Sequence, residues 1–411
     1  MLDVNLIRKE KDLVKEGVKR KNISPKIVDD FLALDERWKT LTAQLDNLRR
    51  DRSFIKEGPS LDAKNLKSQI KQLDAEIKEV SEKRNKTLVL IPNIPANVAP
   101  VGKDESGNVV LREVGEKPNF KFKPKDYMAL AGNMINMESA GQVSGSRFGY
   151  ILGDLVLLEF SLVQLAMDKL VEKGFIPVVP PVMVKPEIMK AMGKVKFIEG
   201  DDAFHVAKDN LYLVGSSEHS IGPLHMDSVL DGKSLPRRYA GFSTCFRREA
   251  GSYGKDTKGI LRVHQFDKVE MFSFTKPEDS EKEHQFLLGI QEELMQVLKL
   301  PYQVIANCTG DMGFGDYKQF DIEVYLPGQG KYRELCSTSN TTDYQARGLN
   351  IKYREGEKKD FVHTLNATAF AIGRTLIAIL ENYQNEDGGV TIPKALQGYV
   401  KKKKISGLAL D

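Results

Sequence analysis

The residues with the most chemical content lie between Phe246 and Arg262. The run Phe246-Arg247-Arg248-Glu249-Ala250-Gly251-Ser252-Tyr253-Gly254-Lys255-Asp256-Thr257-Lys258-Gly259-Ile260-Leu261-Arg262 carries a strand into a glycine-punctuated basic loop, and a second strand leaves through His264-Gln265-Phe266. Arginine suits bidentate contact with phosphate, and a carboxylate such as Glu249 can accept from an amino group on a base. A loop this long without a ligand is entropically poor, which favours function over a bare surface hairpin. A second candidate is Arg374, at the start of a helix running to Tyr383, where a cation opposes the helix dipole unless an anion is nearby. A third is Glu334 with Ser337, oxygen donors of the kind that hold a hard cation such as Mg²⁺.

Other chemistries find no support. No Gly-x-x-x-x-Gly-Lys-Ser/Thr loop, dinucleotide fingerprint, nucleophile elbow or His-Glu-x-x-His helix occurs. Any nucleotide must therefore be held by side chains, chiefly arginines. His219, His225 and His264 have no metal-ligand spacing, and Cys336 reads as a packing residue. Three cysteines are too few for a disulfide framework and fit a reducing, cytoplasmic setting.

The elements that must position these residues fall into two parts. Lys and Arg total 61 against 57 Asp and Glu, 41% of the 411 residues are apolar and 29% charged, so a folded chain of more than one domain is expected. No run of about 20 apolar residues is present, so no membrane span is expected. From Val28 to Lys56 apolar residues recur at alternating steps of three and four (Phe31, Leu34, Trp38, Leu41, Leu45, Leu48), and from Leu61 to Leu88 the pattern returns at Leu66, Ile70, Leu73, Ile77 and Val80. Two such stripes joined across Glu57-Gly58-Pro59-Ser60 predict an antiparallel coiled-coil hairpin, with Ser60 capping the second helix. Residues 49–71 carry seven basic side chains (Arg49, Arg50, Arg52, Lys56, Lys64, Lys67, Lys71) against three acidic ones. That balance suits a phosphate backbone, and equally a solvated face or a dimerisation arm.

Residues 1–100 are expected to form this arm-bearing domain and 101–411 the second, with 96–126 as a linker. The second domain reads as α+β. Helices are expected at 155–172, 280–298 and 370–383. Strands are expected at 175–179, 211–214, 239–247, 263–274, 302–307 and 320–325, favouring an antiparallel sheet. Lys401–Lys404 reads as a solvated tail.

These stretches together resemble the seryl-tRNA synthetases, a family of class II aminoacyl-tRNA synthetases. The long helix leading to Gly174-Phe175 and Pro180-Pro181 resembles the class II dimer motif. FRREAGSYGKDTKGILRVHQFDKVE (246–270) and AIGRTLIAILENYQNEDGGVTIP (371–393) match the family's next two motifs almost in full. The resemblance implies a homodimer with a class II antiparallel-sheet catalytic domain behind the helical arm. The implied activity is ATP-dependent activation of L-serine and its transfer to tRNA(Ser), with tRNA(Sec) as a second candidate acceptor.

By the same resemblance, ATP would contact Arg247, Arg248, Glu249, Val263, Phe266, Glu334, Leu335, Cys336, Ser337 and Arg374, with Arg247, Arg374 and Glu334 carrying the chemistry. Glu334 and Ser337 would hold Mg²⁺. Serine would contact Ser216, Ser217, Glu218, Arg247, Glu270, Asn366 and Thr368, and the basic hairpin residues would contact tRNA. Three departures stand out: Ser216-Ser217-Glu218 where the family shows Thr-Ala-Glu or Thr-Ser-Glu, Ala367-Thr368-Ala369 where it often shows Gly-Ser-Gly, and Thr338-Ser339-Asn340 where relatives commonly carry cysteines. They bear on serine affinity more than on reaction type. The alternatives are an amino-acid ligase that loads a carrier protein, whose relatives lack such an arm, and a non-enzymatic coiled-coil scaffold.

Overall fold

The computed structural model describes residues 1–54, 61–250 and 258–405. They divide into two compact units, Met1–Ile94 and Pro95–Asp411. Residues 95–100, placed with the arm from sequence, hydrogen-bond within the second unit: the Ala96 amide donates to the Tyr317 carbonyl at 2.7 Å and the Thr309 amide to the Pro100 carbonyl at 2.8 Å.

The first unit is built on two long helices, α1 (Lys26–Phe54) and α2 (Leu61–Leu88). The expected turn, with Ser60 as cap, lies outside the described residues. Ion pairs fix the helices antiparallel: Asp35 with Arg84 at 2.8 Å, Arg37 with Glu76 at 2.7 Å and Arg49 with Asp74 at 3.1 Å. Phe31, Leu41, Leu45, Ile70, Val80 and Leu88 of the predicted stripe are buried. Arg84 lies with its guanidinium 5.3 Å from the Phe31 ring centre and 5.0 Å from that of Trp38. Asp35 is 1% exposed and also receives Arg8, whose Nε donates at 2.8 Å. Burial pushes this carboxyl up, but the two arginines outweigh it and bring it down to about 2.

The second unit is organised by an eight-stranded sheet: β1 (Val109–Val114), β2 (Ile176–Val178), β3 (Arg237–Phe246), β4 (Gln265–Thr275), β5 (Tyr302–Ala306), β6 (Lys318–Leu326), β7 (Lys331–Asn340) and β8 (His363–Ala371). Their spatial order is β1-β5-β6-β7-β8-β4-β3-β2. All neighbours are antiparallel except the edge strand β2, which runs parallel to β3. Three helices, α3 (Asp154–Glu172), α4 (Ser280–Val297) and α5 (Ile372–Asn382), share one hydrophobic core with the sheet.

Strand alternation then sorts the side chains. Val269, Met271, Ala367 and Ala369 enter the helix-covered core, while Lys268, Glu270, Ser337, Asn366 and Thr368 face the other way, into a cavity.

Several expectations are corrected. The stretch read as linker contributes β1, which covers the sheet edge at β5. Residues 211–214 form a strand, Leu211–Leu213, in a separate small sheet with Met183–Val184 and His205–Val206. The helix expected from residue 370 begins at Ile372, because 363–371 is β8. Strand β7 went unrecognised, since KYRELCSTSN lacks the apolar alternation that marks a strand. The terminal lysines are exposed, as expected, but do not form a free tail: Lys404 lies in a two-residue strand paired with Val390–Thr391 and contacts Asp387, and Lys402 meets Asp154 at 2.6 Å. Among the described residues no helix is long and apolar enough to cross a membrane.

The Asp35 cluster generates a stability prediction. A carboxyl depressed in the folded state stabilises above its unfolded pKa, and that stabilisation is lost as pH falls through the folded value. Asp35→Asn is expected to cost about 2 kcal/mol at pH 7, a deficit that shrinks as pH drops from about 4 toward 2. Denaturation followed by Trp38, the single tryptophan, reports on this unit. An unchanged midpoint at pH 7 would contradict the role of the pair.

Candidate active site

The cavity measures about 350 Å³ and opens where β7 and β8 part. Their pairing covers only Thr338 to Asn340 opposite Ala367 to Leu365. Beyond it Gln291 of α4 bridges the strands from behind, its Nε2 donating to the Ser337 and Thr368 carbonyls at 2.8 Å each. Two irregularities re-aim side chains. Opposite Ile322 and Glu323, β7 carries an extra residue, Leu335, between Cys336 and Glu334. Residues three apart in a regular strand face opposite sides; the bulge brings Glu334 and Ser337 to one side, both on the cavity wall, with the Ser337 hydroxyl 3.5 Å from Glu334 Oε1. Opposite Val269 and Glu270, β8 carries the extra residue Ala369, so that Thr368 and Ala371 both reach the cavity.

The two distant arginines meet here. Arg374, in the first turn of α5, pairs with Glu334 Oε1 at 3.1 Å and donates to the Glu334 carbonyl at 3.0 Å. Arg247 leaves the end of β3, donates from Nε to the Gly215 carbonyl at 3.1 Å and lies 5.4 Å from the centre of the Phe266 ring. Glu334 stays below the ordinary carboxylate range, chiefly through Arg374, with burial opposing and Arg247 assisting. Asp321, beside them on β6, is pushed up to about 7 by burial and by the charge of Glu334. Glu249 adopts a left-handed backbone, φ 53°, and its carboxylate accepts from Arg262 Nη1 at 3.0 Å. Also on the cavity wall, Glu270 accepts from the Thr368 hydroxyl at 3.0 Å and pairs with Lys268 at 2.9 Å. Burial raises the Glu270 carboxyl, with the Lys268 charge working against it.

Of the residues singled out from sequence, Arg247, Glu249, Val263, Phe266, Glu334, Leu335, Cys336, Ser337, Arg374, Glu218, Glu270, Asn366 and Thr368 all border this cavity. Three do not. Arg248 turns away where β3 ends: its guanidinium lies 5.3 Å from the Phe204 ring centre and 3.5 Å from Asp201. Ser216 spends its hydroxyl on the Glu218 amide at 3.4 Å, and Ser217 is packed so tightly on Gly241 that a Cβ there would sit 2.9 Å from its Oγ. Lys56 lies outside the described residues, as does the loop tip 251–257. Arg49, Arg50, Arg52, Lys64, Lys67 and Lys71 are exposed along the hairpin.

Sequence reasoning missed Arg262, Lys268, Asp316 and Lys194. The first two stand inside the quoted motif and carried a signal. Asp316 on the cavity wall and Lys194 behind Glu218 come from segments with none. Cys336 is buried and its thiol is pushed well up by burial, in keeping with packing.

An antiparallel sheet that gathers two arginines and a carboxylate–hydroxyl pair over one cavity defines a class II synthetase core. The family model for the tRNA synthetase class II core domain (G, H, P, S and T) matches residues 203–383, and that for the seryl-tRNA synthetase N-terminal domain matches residues 1–95. The serine–tRNA ligase of Pyrococcus horikoshii is 41% identical, with 98% of this chain and 97% of that one covered. That of Acidothermus cellulolyticus is 42% identical over 97% and 98%. The crystal structure of the P. horikoshii seryl-tRNA synthetase complexed with ATP superposes with a TM-score of 0.93 at 40% identity, covering all of both chains. The chain belongs to the seryl-tRNA synthetase family.

Because Arg374 is the main influence that keeps Glu334 ionised, Arg374→Met is expected to raise the titration of the Glu334 carboxyl. Carboxyl ¹³C NMR against pH checks this, and an unshifted curve refutes the pairing.

Proposed function

We propose that the protein is a serine–tRNA ligase, which condenses L-serine with ATP to seryl-adenylate and pyrophosphate and then passes the seryl group to the terminal adenosine of tRNA(Ser). The observation that carries this reading is the meeting of Arg247, Arg374, Glu334 and Ser337 on the wall of one cavity that Glu218, Glu270 and Thr368 also line.

The reaction needs no catalytic base. The serine carboxylate is already a nucleophile and attacks the α-phosphorus in line as pyrophosphate leaves. Arg247 binds the α-phosphate and the serine carboxylate and so holds the reacting groups together. Arg374 takes the γ-phosphate of a bent ATP, and fixed guanidinium charges meet the negative charge that spreads over the phosphates. Glu249 accepts from the adenine amino group, and Phe266 offers a ring face to the base.

Glu334 and Ser337 present hard oxygen donors on one side of β7 and fit Mg²⁺. Among the described residues no group of three or more His, Cys, Asp or Glu side chains gathers at a metal position, so phosphate oxygens would complete the shell. The ion when bound neutralises phosphate charge.

Selectivity follows from Glu270 and Thr368. A buried hydroxyl–carboxylate pair accepts the serine hydroxyl, whereas alanine leaves polar groups unpaired, a penalty of about 10⁴ in favourable cases. Thr368 retains the hydroxyl where relatives often have serine. The hairpin supplies exposed basic side chains for the tRNA backbone.

A homodimer is part of the proposal, supported by apolar exposure along α3, in β2 and just after it: Phe160 is 62% exposed, Ile176 54% and Val179 81%. Three buried free thiols suit the cytoplasm.

Pyrophosphate exchange into ATP, run across the twenty amino acids, is expected to respond to serine above all others, and Arg247→Ala to abolish it. Exchange with a different amino acid, or full activity without Arg247, overturns the reading. Replacing Arg50, Arg52, Lys64 and Lys67 together by Gln should leave exchange intact while charging of tRNA(Ser) falls and loses much of its salt dependence. Undiminished charging removes the arm from tRNA binding.

A further inference from the structure

Lys194 follows Gly193, whose φ of +74° turns the chain, and precedes the short helix Val195–Glu199. The segment is held in place: the Lys194 amide donates to the Met189 carbonyl at 2.9 Å, and Lys196 Nζ lies 5.2 Å from the centre of the Phe314 ring. The Lys194 ammonium meets Oε1 of Glu218. Glu218 is 6% exposed and borders the cavity, whereas Lys194 is not on its wall. His219 Nε2 is 3.3 Å from the same oxygen. The other oxygen, Oε2, is buried with no hydrogen-bond partner among the described residues. A buried carboxylate oxygen without a donor is costly unless a ligand completes it.

We propose that Lys194 is a positioning residue for Glu218, the carboxylate that the family resemblance puts near the substrate's amino group: it occupies one oxygen from behind the cavity wall and so turns the other toward the substrate. The assignment rests on the reading of this site as one that activates an amino acid.

Asp316, on the cavity wall, also acts on Lys194 and helps to hold its charge in place. Lys194 and His219 act on Glu218 directly, Glu270 lies within its field, and Arg247 acts on Lys194 and His219. Burial pushes the His219 imidazole down to about 4, so it is neutral near pH 7 and contributes a hydrogen bond but no charge. Burial also opposes ionisation of Glu218; the Lys194 charge is the chief influence that overcomes it and holds the carboxyl well below its usual range. A folded-state depression of this kind is lost with the cation, so without Lys194 the Glu218 carboxyl titrates higher.

The test compares Lys194→Met and Lys194→Arg with the wild type in serine-dependent pyrophosphate exchange from pH 6 to 8.5. Lys194→Met is expected to raise the KM for serine about 10- to 100-fold, to leave the KM for ATP unchanged, and to worsen as pH falls. Lys194→Arg is expected to recover most of the serine affinity. A wild-type serine KM in Lys194→Met across the pH range overturns the proposal. So does a KM for ATP that rises in step with that for serine, which marks a local collapse. If the wild type itself shows no serine-dependent exchange, the reading of the site fails and the positioning role falls with it; wild-type exchange beside an unaffected Met variant removes the positioning role alone.

Discussion

The site depends on the ion pair between Arg374 and Glu334. A cation in the first turn of α5 opposes the helix dipole, and a carboxylate beside the raised Asp321 opposes another negative charge. Each partner compensates the other, and both are aimed at the same cavity. The same device recurs around the wall: Arg262 with Glu249, Lys268 with Glu270, Lys194 with Glu218. The charged groups around the cavity are thereby held at fixed positions, and removal of either member of a pair leaves an uncompensated charge.

The backbone supplies the aim. In a flat sheet of even register, Glu334 and Ser337 would face opposite sides. The extra residue Leu335 and the extra residue Ala369 rotate one strand each, and the parting of β7 from β8 opens the space between them. Gln291 satisfies two carbonyls beside the parted strands, which offsets part of the backbone hydrogen bonding lost at the opening. The core face of the same strands is largely apolar under α3, α4 and α5, and that packing keeps the polar face in register.

Much of this was legible beforehand, for reasons that differ by element. The hairpin helices announce themselves through three-four spacing, a local property that tertiary context did not override. The strands with apolar alternation, such as 302–307 and 320–325, fell within a residue or two of β5 and β6. β7 and β8 did not announce themselves, because their cavity-facing positions are polar or small for functional reasons and the alternation is masked. β1 hid in a stretch rich in proline and glycine, and pairs only because β5 offers an open edge.

The amino-acid sequence by itself determined which residue types could handle an adenylate, since arginines, carboxylates and hydroxyls in motifs 246–270 and 371–393 carry their chemistry wherever they are placed. It also determined the arm and its charge. Only the tertiary structure decided that Arg248, Ser216 and Ser217 turn away, that Arg262 and Lys268 come in, and that Lys194 stands behind Glu218. Side-chain direction at a strand end, after a bulge or beside a helix start is set by long-range packing and register, and no spacing rule within a short window encodes it.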